Sequence, residues 1–90
     1  MDFIYLFHSP DQSRFCSGVF TSVQFAEEWI RINSLSGVLT AYPINKGVYD
    51  WAIEHGLFYP KWEKHNSPEF KAGFSSAYQE HYHYENGNLE

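Results

Sequence analysis

The sequence is poor in cysteine and in basic residues, and these shortages exclude several kinds of protein. Its single cysteine, Cys16, cannot form a disulfide within the chain or supply a thiolate-rich zinc site. Six Lys and Arg stand against eleven Asp and Glu, which gives a net charge of −5. Because the basic residues are also scattered, the chain has no basic stripe for a phosphate backbone, and we predict no nucleic-acid partner.

Long apolar runs are also missing. No run approaches the roughly 20 residues that a membrane-spanning helix needs. The segment Met1–Ile4 lacks the basic opening of a secretory signal peptide. These absences predict a cytoplasmic protein with no membrane partner.

Aromatic residues, by contrast, are abundant: they make up 20% of the 90 residues, whereas charged residues make up only 19%. That balance is typical of one globular domain and excludes intrinsic disorder. We expect a single domain over residues 1–87, with residues 88–90 as a disordered tail or part of an expression tag. A domain of this size cannot bury every ring, and exposed Tyr and Trp are favoured at protein interfaces.

The first half of the chain predicts a hairpin followed by a helix. Residues 3–8 are apolar on both faces, which indicates a central strand, and turn-forming residues 10–13 lead to a second strand over 15–20. A capping box, Thr21 with Gln24, begins a helix over 22–33. The expected buried stripe of this helix contains Phe25, Trp29 and Ile32, with Ala26 and Ile30 beside it.

The second half predicts shorter elements. A strand over 36–43 precedes a short helix over 48–55, and Gly56 should end that helix in a left-handed conformation. An irregular connector follows, and Ser67-Pro68 begins a brief third helix. The final strand is predicted over 76–84. The fold class expected from this order is α+β: a small, mostly antiparallel sheet of about three to four strands, one main helix across a face, and one or two short helices.

Several segments resemble a signature of short bacterial proteins of unknown function. The similar segments are Gly18–Ser22, Ala26–Ile30, Leu35–Thr40, Tyr42-Pro43, Gly47–Ile53, Phe74–Ala77 and Gln79–Glu85, within a resemblance that covers most of residues 3–87. This resemblance implies a compact domain. It implies no activity, no cofactor and no catalytic residue.

The stretch from Glu80 to Glu85 carries the most chemistry. Strand alternation places His81 and His83 on one face about 7 Å apart, and Tyr78, Tyr82 and Tyr84 on the packed face. Two imidazoles at that separation could share a metal ion, with a third ligand from another histidine or an acidic residue. The alternative is that both are partly exposed strand residues with no ligand.

Tyr49 and Asp50, at the start of the short second helix, form a second candidate. A phenol and a carboxylate there could recognise a protein partner. The structural alternative is that this turn is part of the packing, with Trp51 filling the core and Asp50 compensating the free backbone N–H groups of the helix.

Together these features predict a non-catalytic interaction module with an aromatic and acidic surface. Its predicted binding residues are Tyr49, Asp50, His81 and His83, its partner is another protein or a second copy, and no cofactor is implied. The alternative function is metal binding by His81 and His83. An enzyme would need one of these histidines to activate a serine such as Ser75 or Ser76, but no known motif organises such a site.

Overall fold

An antiparallel sheet of five strands organises this chain. The structure, a computed structural model, describes residues 2–11 and 15–90. The elements are β1 Phe3–His8, β2 Gly18–Phe20, α1 Val23–Ile32, β3 Gly37–Pro43, α2 Val48–Glu54, a 3-10 helix Glu63–Asn66, α3 Pro68–Ala72, β4 His81–Glu85 and β5 Asn88–Leu89. The strands lie in the order β2-β1-β3-β4-β5, and each neighbouring pair is antiparallel.

The predicted fold class is wrong in both the number of strands and the weight given to one helix. The sheet has five strands instead of three to four, because Asn86 and Gly87 adopt positive φ angles of 52° and 87° and turn the chain back along β4. In the described part of the chain all helices are short, since α1, α2 and α3 have ten, seven and five residues. No main helix dominates one face of the sheet in that part.

The last residues of the chain continue the sheet, since Asn88 and Leu89 form β5. Asn88 pairs with Glu85 and Leu89 with Tyr84. The Glu90 N–H donates to the carbonyl oxygen of His83 at 2.9 Å. The tail is ordered because it satisfies backbone groups of β4 that would otherwise lie at a sheet edge.

The core lies between α1 and one face of the sheet. Its buried residues come from β1, α1, β3 and β4 and are Phe7, Ala26, Ile30, Leu39 and Tyr84. Burial alternates strictly along β3, where the odd-numbered residues are buried and the even-numbered ones are half-buried. The odd-numbered face of β1 and β3 is therefore the packed face.

Helix α1 forms close to its predicted bounds but buries a different stripe. Its cap is Ser22, whose Oγ accepts a hydrogen bond from the Phe25 N–H at 3.2 Å, and not Thr21. Phe25 and Ile32 are 64% and 71% exposed. The contact with the sheet is instead made through Ala26 and Ile30, because the small Ala26 side chain permits a close approach.

The last strand begins later than predicted. Gln79, expected beside the histidines on a strand, is only 4% exposed and closes a turn. Its Oε1 accepts from the Ser76 N–H and its Nε2 donates to the Ala41 carbonyl, both at 3.0 Å. Tyr78, expected on the packed face, is 70% exposed because this turn directs it outward.

The remaining elements follow the prediction closely. Gly56 has φ +67°, as expected for a left-handed residue after α2. The Ser67 hydroxyl caps α3 by accepting from the Phe70 N–H at 3.1 Å. The hairpin of β1 and β2 is confirmed, although β2 is shorter than expected. Of the turn predicted over residues 10–13, residues 12 and 13 lie outside the described residues.

Candidate functional site

The second face of the sheet, formed by the even-numbered residues of β1 and β3, contributes no side chain to the described core that α1 covers. Strand register places its members side by side: Leu6 lies between Val19 and Thr40, and His81 follows Thr40 in the same row. A neighbouring row contains His8, Val38 and His83. We call this surface the open face, and its members are Ile4, Leu6, His8, Val19, Val38, Thr40, Tyr42, His81, His83, Glu85 and Asn88.

The open face is apolar in the middle and free of fixed positive charge. None of the five strands contains Lys or Arg. Its middle is formed by half-buried Ile4, Leu6 and Val38, while Val19 at the β2 edge is 56% exposed. An apolar surface of this kind, left uncovered, is typical of a binding surface.

The two histidines of β4 lie at one side of the open face. Both are exposed, and their ring centroids are 5.4 Å apart with the planes nearly perpendicular. The Nδ1–H of His81 donates to the carbonyl oxygen of Gln79 at 2.7 Å. The predicted outward direction of His81 and His83 is therefore confirmed. A groove of about 450 Å³ beside them is also lined by Tyr82, Leu89 and Glu90.

The tyrosines on the packed side of β4 donate to carboxylates. The Tyr82 hydroxyl donates to Glu80, and this hydrogen bond, with burial as a smaller cause, raises the pKa of Tyr82 to about 12. The Tyr84 hydroxyl donates to Glu27 on α1 at 3.0 Å. Burial and then this hydrogen bond raise the pKa of Tyr84 well above its usual value of 10.0. Both contacts require neutral phenols.

These raised pKa values predict a loss of stability in alkali. In the unfolded chain both phenols ionise near pH 10, whereas in the folded chain they stay neutral, so stability falls from about pH 10 upward. We expect Tyr84→Phe to lower the melting temperature at pH 8 but to reduce the further fall between pH 8 and pH 11. Tyr78→Phe, at an exposed position, is the matched control and should leave that fall unchanged. An identical fall in Tyr84→Phe and wild type, measured by circular dichroism, would contradict this assignment.

Tyr49 and Asp50 occupy different environments. Tyr49 is 5% exposed, and its ring contacts Phe58, Phe70 and Phe74 in a second aromatic cluster. Its hydroxyl donates to Asn66 at 3.2 Å. The structure thus places Tyr49 inside the packing that anchors the connector to α2, and its phenol is not available on the surface.

Asp50 is exposed in the first turn of α2. It lines a groove with the ion pair Lys46–Glu54, and this groove shares no residue with the groove beside His81 and His83. The four predicted binding residues therefore do not line one continuous site.

The fit of a metal ion to the histidine pair depends on a third ligand. Across residues 2–11 and 15–90, no three His, Cys, Asp or Glu side chains are arranged so that they could hold a metal ion. His81 and His83 supply two imidazole nitrogens, and the described residues add no further ligand to them.

The sequence reasoning missed the open face as a surface. The two apolar faces of residues 3–8 predict a central strand, and β1 does lie between β2 and β3, but this pattern does not show which face of the strand is left uncovered. The signal that could have revealed the face is the pattern of β3, where Val38 and Thr40 alternate with Leu39 and Ala41, combined with the lack of Lys and Arg in the strands.

These features define a small domain built on a five-stranded antiparallel sheet with one uncovered face. The chain belongs to a family described as Domain of unknown function (DUF7710), whose sequence model matches residues 4–90. The expected membership in a family of unknown function is thereby confirmed. Comparisons with curated proteins and with solved structures found no match. In the described part of the chain, no helix is long and apolar enough to cross a membrane.

Proposed function

We propose that this domain is a non-catalytic protein-interaction module whose contact surface is the open face. The observation that carries the proposal is the uncovered apolar middle of the sheet, formed by Ile4, Leu6 and Val38. Exposed apolar patches rimmed by polar residues are characteristic of interaction sites. His81 and His83 supply polar groups at one side of this patch.

Exposed aromatic residues elsewhere on the surface support the same class of function. Tyr59 and Trp62 on the connector and Tyr78 before β4 are exposed despite their large apolar area. Aromatic side chains are enriched at protein interfaces because they offer large contact areas at low entropy cost. A cytoplasmic location remains a prediction of the sequence.

Replacement of His81 and His83 tests the proposal directly. Since both imidazoles are exposed, we expect the double variant His81→Gln/His83→Gln to change unfolding free energy by less than about 0.5 kcal/mol. Binding should nevertheless weaken, because two polar contacts are altered at one side of the open face. The measurement has two parts. In the first, the immobilised chain captures bound protein from a lysate of its source cells; in the second, chemical cross-linking of the purified chain detects binding between two copies.

The matched control is His55→Gln, an exposed histidine at the end of α2. This variant should retain bound protein as the wild type does. If the wild type retains neither another protein nor a second copy, or if the double variant retains as much as His55→Gln, the proposal fails.

Metal binding by the same histidine pair is the second candidate. The hydrogen bond from His81 Nδ1–H to the Gln79 carbonyl favours it, because backbone carbonyls commonly orient metal-ligating imidazoles in this way. A metal that binds the folded chain raises its melting temperature through linkage. Zinc or nickel at neutral pH should therefore raise the melting temperature of the wild type but not that of His81→Gln/His83→Gln. Unchanged melting of the wild type would remove this candidate.

A further inference from the structure

We infer that the occupant of the open face is a second copy of this chain, packed face to face through β1 and β3. This inference rests on the proposed function, because it names the partner of the same surface. Three properties of the face carry it: the position of the acidic residues, the chemistry of the rim, and the area available.

The net charge of −5 lies mostly away from the open face. Most acidic residues lie on the helices, the connector or the turns. The strand residues of the open face contain no Lys or Arg, their middle is aliphatic, and their one acidic residue, Glu85, lies at the end of β4. A basic partner protein would meet few carboxylates on this face. A second copy, in contrast, would pack the same uncharged middle against it. Homodimer interfaces are more apolar than the rest of the surface in this way.

The rim of the open face carries hydrogen-bonding groups that could pair with the same groups on a second copy. Imidazoles are provided by His8, His81 and His83. Carboxylates are provided by Asp2, Glu85 and Glu90, which continue the same rows at the ends of β1 and β4 and beyond β5. In a two-fold pair the same patch is used on both sides, so a surface with both donors and acceptors on its rim is self-complementary.

The size of the face predicts a weak dimer. The four strands β2, β1, β3 and β4 have three, six, seven and five residues. At a rise of about 3.3 Å per residue and a strand spacing of about 4.8 Å, they give about 330 Å² of flat area per copy. Side-chain relief raises the accessible area buried by two copies to about 1,000 Å², the lower limit for a specific interface. We therefore expect a dissociation constant of roughly 10 µM or weaker, with dimer forming at high protein concentration.

Sedimentation velocity of the purified chain at neutral pH, from a few micromolar to several hundred micromolar, tests this inference. The expected result is a concentration-dependent change from monomer to dimer. Leu6→Lys places a charge in the middle of the face, and Val19→Lys places one at its exposed edge, where folding is least affected. Each should weaken dimerisation by at least about 10-fold, because the interface would have to bury an unpaired ammonium group from each copy.

The matched control is Ile32→Lys, which changes the net charge equally at an exposed position on α1. It should dimerise as the wild type does, and circular dichroism checks that each variant is folded. If the wild type stays monomeric at every concentration, the occupant of the open face is not a second copy. The same conclusion follows if Val19→Lys and Ile32→Lys weaken the dimer equally.

The capture experiment separates this failure from that of the proposed function. A monomeric chain that retains another protein, with retention dependent on His81 and His83, overturns only the second copy as the partner. A monomeric chain that retains nothing overturns both proposals.

Discussion

Gly37→Ala is expected to destabilise the protein more than any other single methyl addition at a glycine. Gly37 begins β3 between β1 and β4, with φ +157°. A Cβ atom there would lie 2.2 Å from the His8 carbonyl oxygen and 2.6 Å from the Phe7 ring. Since the first of these is backbone of a paired strand, the sheet itself would have to shift. We expect a loss of about 4 kcal/mol in unfolding free energy, measured by urea denaturation.

Gly73→Ala is the matched control for this substitution. Gly73 follows α3 with φ −97°, and a Cβ atom there would meet nothing closer than 3.5 Å. This variant should be as stable as the wild type or slightly more so, because alanine reduces the entropy of the unfolded chain. Equal stability of the two alanine variants would show that β1 and β3 are not as close as the structure places them.

Trp29→Ala is expected to have the second largest effect. The indole lies half-buried between α1 and the hairpin, with its ring centroid 5.8 Å from Phe7 and 5.4 Å from Phe20. Removing it deletes both ring contacts and opens a cavity beside the core. We expect a loss of about 3 kcal/mol or more, measured by urea denaturation and by the loss of the near-ultraviolet circular dichroism signal.

Phe25→Ala separates this role from the general cost of removing an aromatic residue from α1. Phe25 belongs to the apolar stripe that the sequence predicts, but the structure leaves it exposed. Its replacement should change stability by less than about 0.5 kcal/mol. A similar loss in both variants would mean that α1 packs through the predicted stripe instead of through Ala26 and Ile30.

The histidine pair shows how much of the candidate site the local sequence pattern predicts. Alternation along β4 was sufficient to direct His81 and His83 outward and Tyr82 and Tyr84 inward, because successive side chains of a strand point to opposite faces. The same alternation, extended back to residue 76, gave a wrong position for Tyr78. There the hydrogen bonds of Gln79 to Ser76 and Ala41 override the strand pattern.

The sequence by itself determined the local elements of this protein. The hairpin, the approximate extent of α1, the cap at Ser67 and the left-handed Gly56 all depend on nearby residues and on backbone sterics, so they can be read from the chain. Membership in a family of unknown function was also visible in the sequence segments.

Only the tertiary structure decided which surfaces are covered. The extra strand β5, the burial of Tyr49 and the uncovered face around Leu6 and Val38 depend on contacts between residues far apart in the chain. An apolar face on a strand looks the same in sequence whether a helix or solvent lies on it, because the hydrophobic pattern records the side chains and not what packs on them. The open face could therefore be recognised only after register and helix placement were known.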